Sequence, residues 1–121
     1  MQSSVTANTL FTLNNATLPG GASQGAEVIA HDAVRGLVYV LGGSGIDALD
    51  ATTGALAFSI PKTEVLVPGG GAAASLGLGN SVAISGNTLA IAFDGPAAGQ
   101  PGVIAAFTIS GTPGAYTAAW R

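Results

Sequence analysis

The stretch Gly36-Leu37-Val38-Tyr39-Val40-Leu41-Gly42-Gly43-Ser44-Gly45-Ile46-Asp47-Ala48-Leu49-Asp50 decides the fold. An unbroken apolar run meets a cluster of glycine and serine, and a second run then ends in an aspartate. Each run has the length of a strand and falls short of the ten or more residues a helix wants. The glycines between them are turn residues, so the pair reads as a β-hairpin. A strand with one wet face alternates apolar and polar residues. Leu37 to Leu41 does not alternate, and neither does Leu89-Ala90-Ile91-Ala92-Phe93. Both faces of each are therefore expected to be covered.

Working outward, the same grammar runs along the chain. Short apolar runs occupy Val5 to Leu13, Glu27 to His31, Leu37 to Leu41, Ile46 to Asp50, Ala55 to Ile60, Ser81 to Ser85, Thr88 to Phe93, Val103 to Ile109 and Ala115 to Trp120. Turn signals separate them, among them Pro19-Gly20-Gly21, Thr53-Gly54, Ser85-Gly86-Asn87 and Thr112-Pro113-Gly114. The alanines Ala72 to Ala74 sit among glycines, each of which costs a helix interior about 1 kcal/mol. The class predicted is all-β.

The runs form a repeat. Glu27 to Gly54 and Asn80 to Gly111 each hold three strand-like runs, with a tight turn after the first and a Gly-rich connection after the second. A fourth run follows each, Ala55 to Ile60 and Ala115 to Trp120. Matching the two copies sets Gly36-Leu37-Val38-Tyr39-Val40 beside Thr88-Leu89-Ala90-Ile91-Ala92. Two four-stranded antiparallel units in tandem are the pattern of β-propeller blades. The expected organisation is an N-terminal strand and Gly/Pro-rich linker over 1–24, a first blade-like repeat over 25–66, and a second over 67–121, together one structural domain.

Composition narrows the function classes. The chain has 121 residues, of which 7% are charged, and its net charge is −3. Arg35, Lys62 and Arg121 are its cations, too few to neutralise a phosphate backbone. Nucleic acid is therefore excluded as an expected partner, and so is an anionic membrane surface. No run reaches the roughly 18 apolar residues of a membrane helix. There is no cysteine, so no disulfide and no thiolate chemistry. No signal peptide is visible at Met1 to Ser4.

A family resemblance rests on three motifs. The first is Gly25-Ala26-Glu27-Val28-Ile29-Ala30-His31-Asp32, with Gly36 to Val40 and Gly45 to Asp50 behind it. The second is the Asn80-Ser81-Val82-Ala83 step. The third is a strand ending in an acidic residue before a long Pro/Gly hairpin, Leu89 to Gln100. These resemble the opening blades of the choice-of-anchor I family, extracellular bacterial β-propellers in the style of YVTN and lactonase-like propellers. The resemblance spans roughly residues 25 to 111, two blades' worth. It implies a propeller fold and an extracellular or cell-surface location.

Candidate chemistry is sparse. His31 is the single histidine, and a turn-capping or packed role is expected of it ahead of a general base. Asp32, Asp47, Asp50 and Asp94 are oxygen donors, but their spacing is not that of a calcium loop. Asp50, before Ala-Thr-Thr-Gly, reads as a turn acceptor. Gly42-Gly43-Ser44-Gly45 has neither the following helix nor the lysine of a phosphate loop, and a hairpin is expected there. Asn15-Ala16-Thr17 fits a glycosylation acceptor, so Asn15 is a possible modification site. Tyr116 and Trp120 are either a sugar-stacking pair or packing residues. No catalytic, cofactor-binding or metal-ligating residue is assigned, and no cofactor is expected.

The reading is a non-enzymatic, extracellular structural or self-assembly module. The alternatives are an oligomeric propeller that binds a carbohydrate or other ligand, and a fragment of a larger phosphatase-like or lactonase-like propeller enzyme. Its expected partner is itself, as a ring or filament of identical chains, or the remaining blades of a longer chain. The outer faces of both units are expected to be apolar, carrying Val38, Val40, Ile91 and Phe93 or their neighbours. Val5 to Leu13 is expected to be an extra strand, able to pair with its own blades or cross to another copy.

Overall fold

The computed structural model describes residues 19–20, 28–64, 77, 79–95 and 97–120. They form an all-β structure of two four-stranded antiparallel sheets. The first sheet holds β1 (Val28–Asp32), β2 (Leu37–Gly42), β3 (Gly45–Asp50) and β4 (Leu56–Pro61), in the order β1-β2-β3-β4. The second holds β5 (Gly79–Ser85), β6 (Thr88–Phe93), β7 (Val103–Ser110) and β8 (Thr117–Trp120), in the order β5-β6-β7-β8. Each is a meander in which neighbours in sequence are neighbours in space. A 3-10 turn, Lys62–Glu64, follows β4. The strand expected over Val5 to Leu13 lies outside the described residues.

The sheets meet along their first strands. β5 lies beside β1 and approaches β2, and Gly79 comes close enough to Leu41 that a Cβ there would collide with its side chain. At the other end, Arg35 after β1 reaches Gly86 after β5. So β1 and β5 run in the same direction, as innermost strands of adjacent blades do. Between the sheets sits one core. Leu37, Tyr39, Leu41, Ile46, Ala48 and Ile60 enter it from the first sheet. Val82, Leu89, Ile91, Phe93, Ala105, Phe107 and Ile109 enter from the second. Small residues (Val28, Ala30, Gly79, Val82) line it along β1 and β5, whereas Phe58, Phe107, Tyr116 and Trp120 lie toward β4 and β8. That gradient of volume suits a gap that widens outward, because interiors are packed without voids.

The expectation that both faces are covered holds in one sheet only. Leu41, Ile46 and Ala48 are buried on one side of the first sheet, and Val40, Asp47 and Leu49 on the other. β6 instead alternates half-buried and buried along its length. Its Leu89, Ile91 and Phe93 face the core, so of the two alternatives expected for the outer face, the neighbours Ala90 and Ala92 lie there rather than Ile91 and Phe93.

The register explains which alternative holds. Asp32 pairs with Leu37 across a four-residue turn, and Ser85 pairs with Thr88 across the two residues Gly86-Asn87. Leu37 is therefore the counterpart of Thr88, one residue away from the sequence match with Leu89. Side chains alternate with a period of two, so one residue exchanges the faces.

The β2–β3 turn dictates a glycine. Gly45 has φ 146°, and a Cβ there would stand 2.2 Å from the Ile60 carbonyl oxygen. Gly36 has φ 66° but open space around it. Gly36→Ala is expected to cost about 1 kcal/mol, the left-handed penalty alone. Gly45→Ala is expected to cost clearly more, since the strand pair must also move. Urea unfolding of the two variants checks the order.

Candidate functional site

Three places concentrate polar or exposed apolar groups: a latch across the sheets, a cleft at the β6–β7 loop, and the outer face of the second sheet. The latch is built by Asp32, the last residue of β1. Its Oδ1 accepts the backbone N–H groups of Val34 and Arg35, both at 3.1 Å, which forms the turn. Its Oδ2 accepts Arg35 Nη1 at 2.8 Å and the Tyr39 hydroxyl at 3.1 Å. The same Nη1 donates to the Gly86 carbonyl at 2.9 Å. Nη2 donates to Asn87 Oδ1 and, at 3.4 Å, to the Ile109 carbonyl. One guanidinium thus ties the β1–β2 turn to the β5–β6 turn and to β7. The Arg35 side chain is only 8% exposed.

The environment moves two pKa values in opposite directions. Burial works against the charge on Asp32, but hydrogen bonds from Arg35 and Tyr39 outweigh it and hold the carboxyl below its ordinary value. Burial disfavours the Tyr39 phenolate and the Asp32 charge repels it, so this hydroxyl titrates well above the usual tyrosine range. The arrangement is a stabiliser rather than an acid–base pair, since each group is held in its resting form.

The remaining carboxylates are engaged separately. Asp47 lies opposite Ser59 on β4. Its Oδ1 accepts the Ser59 hydroxyl at 2.7 Å and the Gly20 N–H at 2.8 Å, which fastens Gly20 against the outer side of the first sheet. Asp50 accepts the N–H groups of Thr52 and Thr53 at 2.8 Å, the turn role its sequence indicates, and those bonds lower its pKa. Asp94 accepts the side-chain amide of Asn80, which stands at a bulge between β5 and β6. Asn80 and Asp94 belong to separate sequence motifs, and the register brings them together. Asp94 also lines a cleft of about 390 Å³ with Gly77, Gly95 and Ala97 to Gln100. Among the described residues no three His, Cys, Asp or Glu side chains gather as a metal site.

His31 is exposed on the outer side of β1. The turn capping expected of it is done by Asp32. These neighbours point to opposite faces of the strand and form no dyad. Ser44 lies in the hairpin turn, its N–H on the Gly20 carbonyl and its own carbonyl on the Lys62 N–H; a strand follows, as expected. Trp120 packs edge-on against Phe107 with centroids 5.3 Å apart, and Tyr116 is half-buried against the core. They serve as packing residues. Asn15 lies outside the described residues. No helix among the described residues is long and apolar enough to cross a membrane.

The outer face of the second sheet is different in kind. Ser81, Ala83, Ala90, Ala92, Ala106 and Thr108 lie on it. Ile104 stands out from it, 78% exposed. A shallow groove of about 170 Å³ runs between Ser81, Ala83, Ala90, Ala92 and Ile104. No charged side chain lies on this face among the described residues. The sequence carried the composition of the face but not its orientation, because the turn lengths set the register.

Compared with family models, curated proteins and solved structures, the chain matches none.

Removing the latch has a defined signature. Arg35→Ala leaves Asp32 buried without its cation, a loss expected to cost about 3–5 kcal/mol. Arg35→Lys is expected to rescue little, since one ammonium lacks the planar fork that spans these acceptors. The Asp32 contribution is present above the ordinary carboxylate pKa of about 3.9 and disappears as pH falls through the lowered native value. The Tyr39 contribution is present below about pH 10 and disappears as pH rises toward its raised value. Melting temperature against pH is expected to be flat between these limits, and Tyr39→Phe is expected to weaken the alkaline fall.

Proposed function

We propose that this chain is a non-enzymatic, extracellular structural module of β-propeller type, whose work is to assemble by packing blade against blade. The observation that carries this reading is the outer face of the second sheet, open, uncharged and built from small residues. Apolar patches larger than a few hundred Å² mark interaction sites, and on this face Ala83, Ala90, Ala92 and Ile104 adjoin. With so few charges, little opposes association. The chemistry found elsewhere points the same way: Asp32, Asp47, Asp50 and Asp94 hold turns and strands together, and among the described residues no carboxylate is turned toward His31. The extracellular placement rests on the resemblance of Glu27 to Asp32 and Asn80 to Gln100 to secreted propellers.

Light scattering of the purified chain tests the reading. A mass that rises above one chain at micromolar concentration is expected. A stable monomer throughout that range overturns it.

A further inference from the structure

The outer side of the first sheet is covered along its middle and open at its flanks. Val40 on β2 is 4% exposed, and Asp47 and Leu49 on β3 are fully buried. Ile29, opposite Val40 on β1, is 63% exposed, and Leu56, opposite Leu49 on β4, is 43% exposed. Neither Val40 nor Leu49 belongs to the core between the sheets. Strand neighbours stand beside a side chain and do not roof it, so a leucine with no exposed surface on this side has chain lying over it. The burial arises within one chain, and that chain supplies the cover. The covered stripe is two strands wide, about 4.8 Å between their axes, which is the footprint of one segment; a second sheet would have covered Ile29 and Leu56 as well.

The entry point of that segment is fixed by Gly20. Its N–H donates to Asp47 Oδ1 at 2.8 Å, and its carbonyl accepts the Ser44 N–H at 3.1 Å. A Cβ on Gly20 would stand 2.7 Å from the Ile46 backbone, so the chain lies directly on the sheet there, at the end where β2 turns into β3. Leu49 is four residues along β3 from Gly45, about 14 Å at about 3.4 Å per residue.

Three stretches outside the described residues are long enough to matter. Residues 21–27 run from Gly20 to Val28, which pairs with Leu41 at the same end of the sheet. Seven residues reach about 24 Å fully extended, too little to pass over Leu49 and return. Residues 65–76 also leave and arrive at that end, since the Lys62 N–H bonds the Ser44 carbonyl and Gly79 lies against Leu41. From Gly69 to Ala74 they are glycine and alanine, with little apolar surface to lay on a leucine. Residues 1–18 join the described structure at one point, beside Gly20, and carry Val5, Leu10, Phe11, Leu13 and Leu18. We propose that residues 1–18 cross the outer side of the first sheet in their own chain, with apolar side chains over Val40 and Leu49, and occupy the place another blade would take. This contact is separate from the assembly reading, which concerns the second sheet.

The absence of cysteine makes thiol labelling of single variants a direct test. In the full chain, Val40→Cys is expected to react with Ellman's reagent at least about tenfold more slowly than Ile29→Cys, because a covered thiol reacts only on local opening. Deleting residues 2–17 is expected to raise the Val40→Cys rate to that of Ile29→Cys, with circular dichroism confirming the fold. Fast labelling of Val40→Cys in the full chain overturns the contact, and so does protection that persists in the folded deletion variant. If the deletion variant does not fold, the full chain decides through Ile29→Cys carrying a benzophenone. Photo-attachment within residues 1–18 of the same chain is expected; attachment elsewhere, or to a second chain, overturns the contact. A chain that stays monomeric in light scattering counts against assembly alone and leaves this contact standing.

Discussion

The guanidinium of Arg35 is the interaction on which the arrangement of the two sheets depends. Apolar packing between sheets is strong but non-directional; it brings β1 and β5 together without fixing how they align. Arg35 supplies the alignment. Its donors reach Asp32 on its own hairpin, and Asn87 and two carbonyls on the neighbouring sheet. In a chain with so few charges, this ion pair is shielded from water and cross-braced by Tyr39. A buried pair adds little net stability over apolar packing, yet breaking it is costly. Its value is therefore positional. The hairpin ends are held level, which puts Gly79 against Leu41 at the opposite end.

The same reasoning accounts for the distribution of side-chain size. The sheets come closest where β5 lies beside β1 and β2, and larger side chains stand on the strands farther out. Tyr39 meets Phe58 edge-on at 6.2 Å, and Phe107 meets Trp120 at 5.3 Å. Each of these aromatic pairs joins strands of one sheet, where alanine or valine would give up the ring contact. This is why Tyr116 and Trp120 are occupied by packing. Trp120, on the short edge strand β8, keeps 40% of its surface exposed because no strand lies beyond it among the described residues.

Much of this was legible in the residues. All eight strands fall on the runs picked out by length and punctuation, and the tandem four-strand units are as expected. Asp50 was readable as a turn acceptor because Ala-Thr-Thr-Gly follows it. What escaped was anything set by partners distant in sequence. Arg35 and Asp32 are three apart, but Asn87 and Ile109 are over fifty residues away from Arg35, and no local pattern announces them. Nor does composition say which of two apolar faces is covered. Val38-Tyr39-Val40 and Ala90-Ile91-Ala92 look alike as text, yet one strand is covered on both sides and the other on one.

That difference traces to two turn residues. Gly86-Asn87 closes the β5–β6 hairpin with Ser85 opposite Thr88, which turns Leu89, Ile91 and Phe93 toward the core and Ala90 and Ala92 away from it. A slip of one residue would reverse every side chain of β6. The leucine, isoleucine and phenylalanine would then face outward, and the surface would bind indiscriminately. With the register as it is, large residues are spent on the single chain's core and methyl groups are left for the outside. A face of methyl groups loses little by standing in water and gains little when covered, at about 25 cal/mol per Å² of apolar area. The two-residue turn thus sets both the strand register and the chemistry of the face that β6 turns outward.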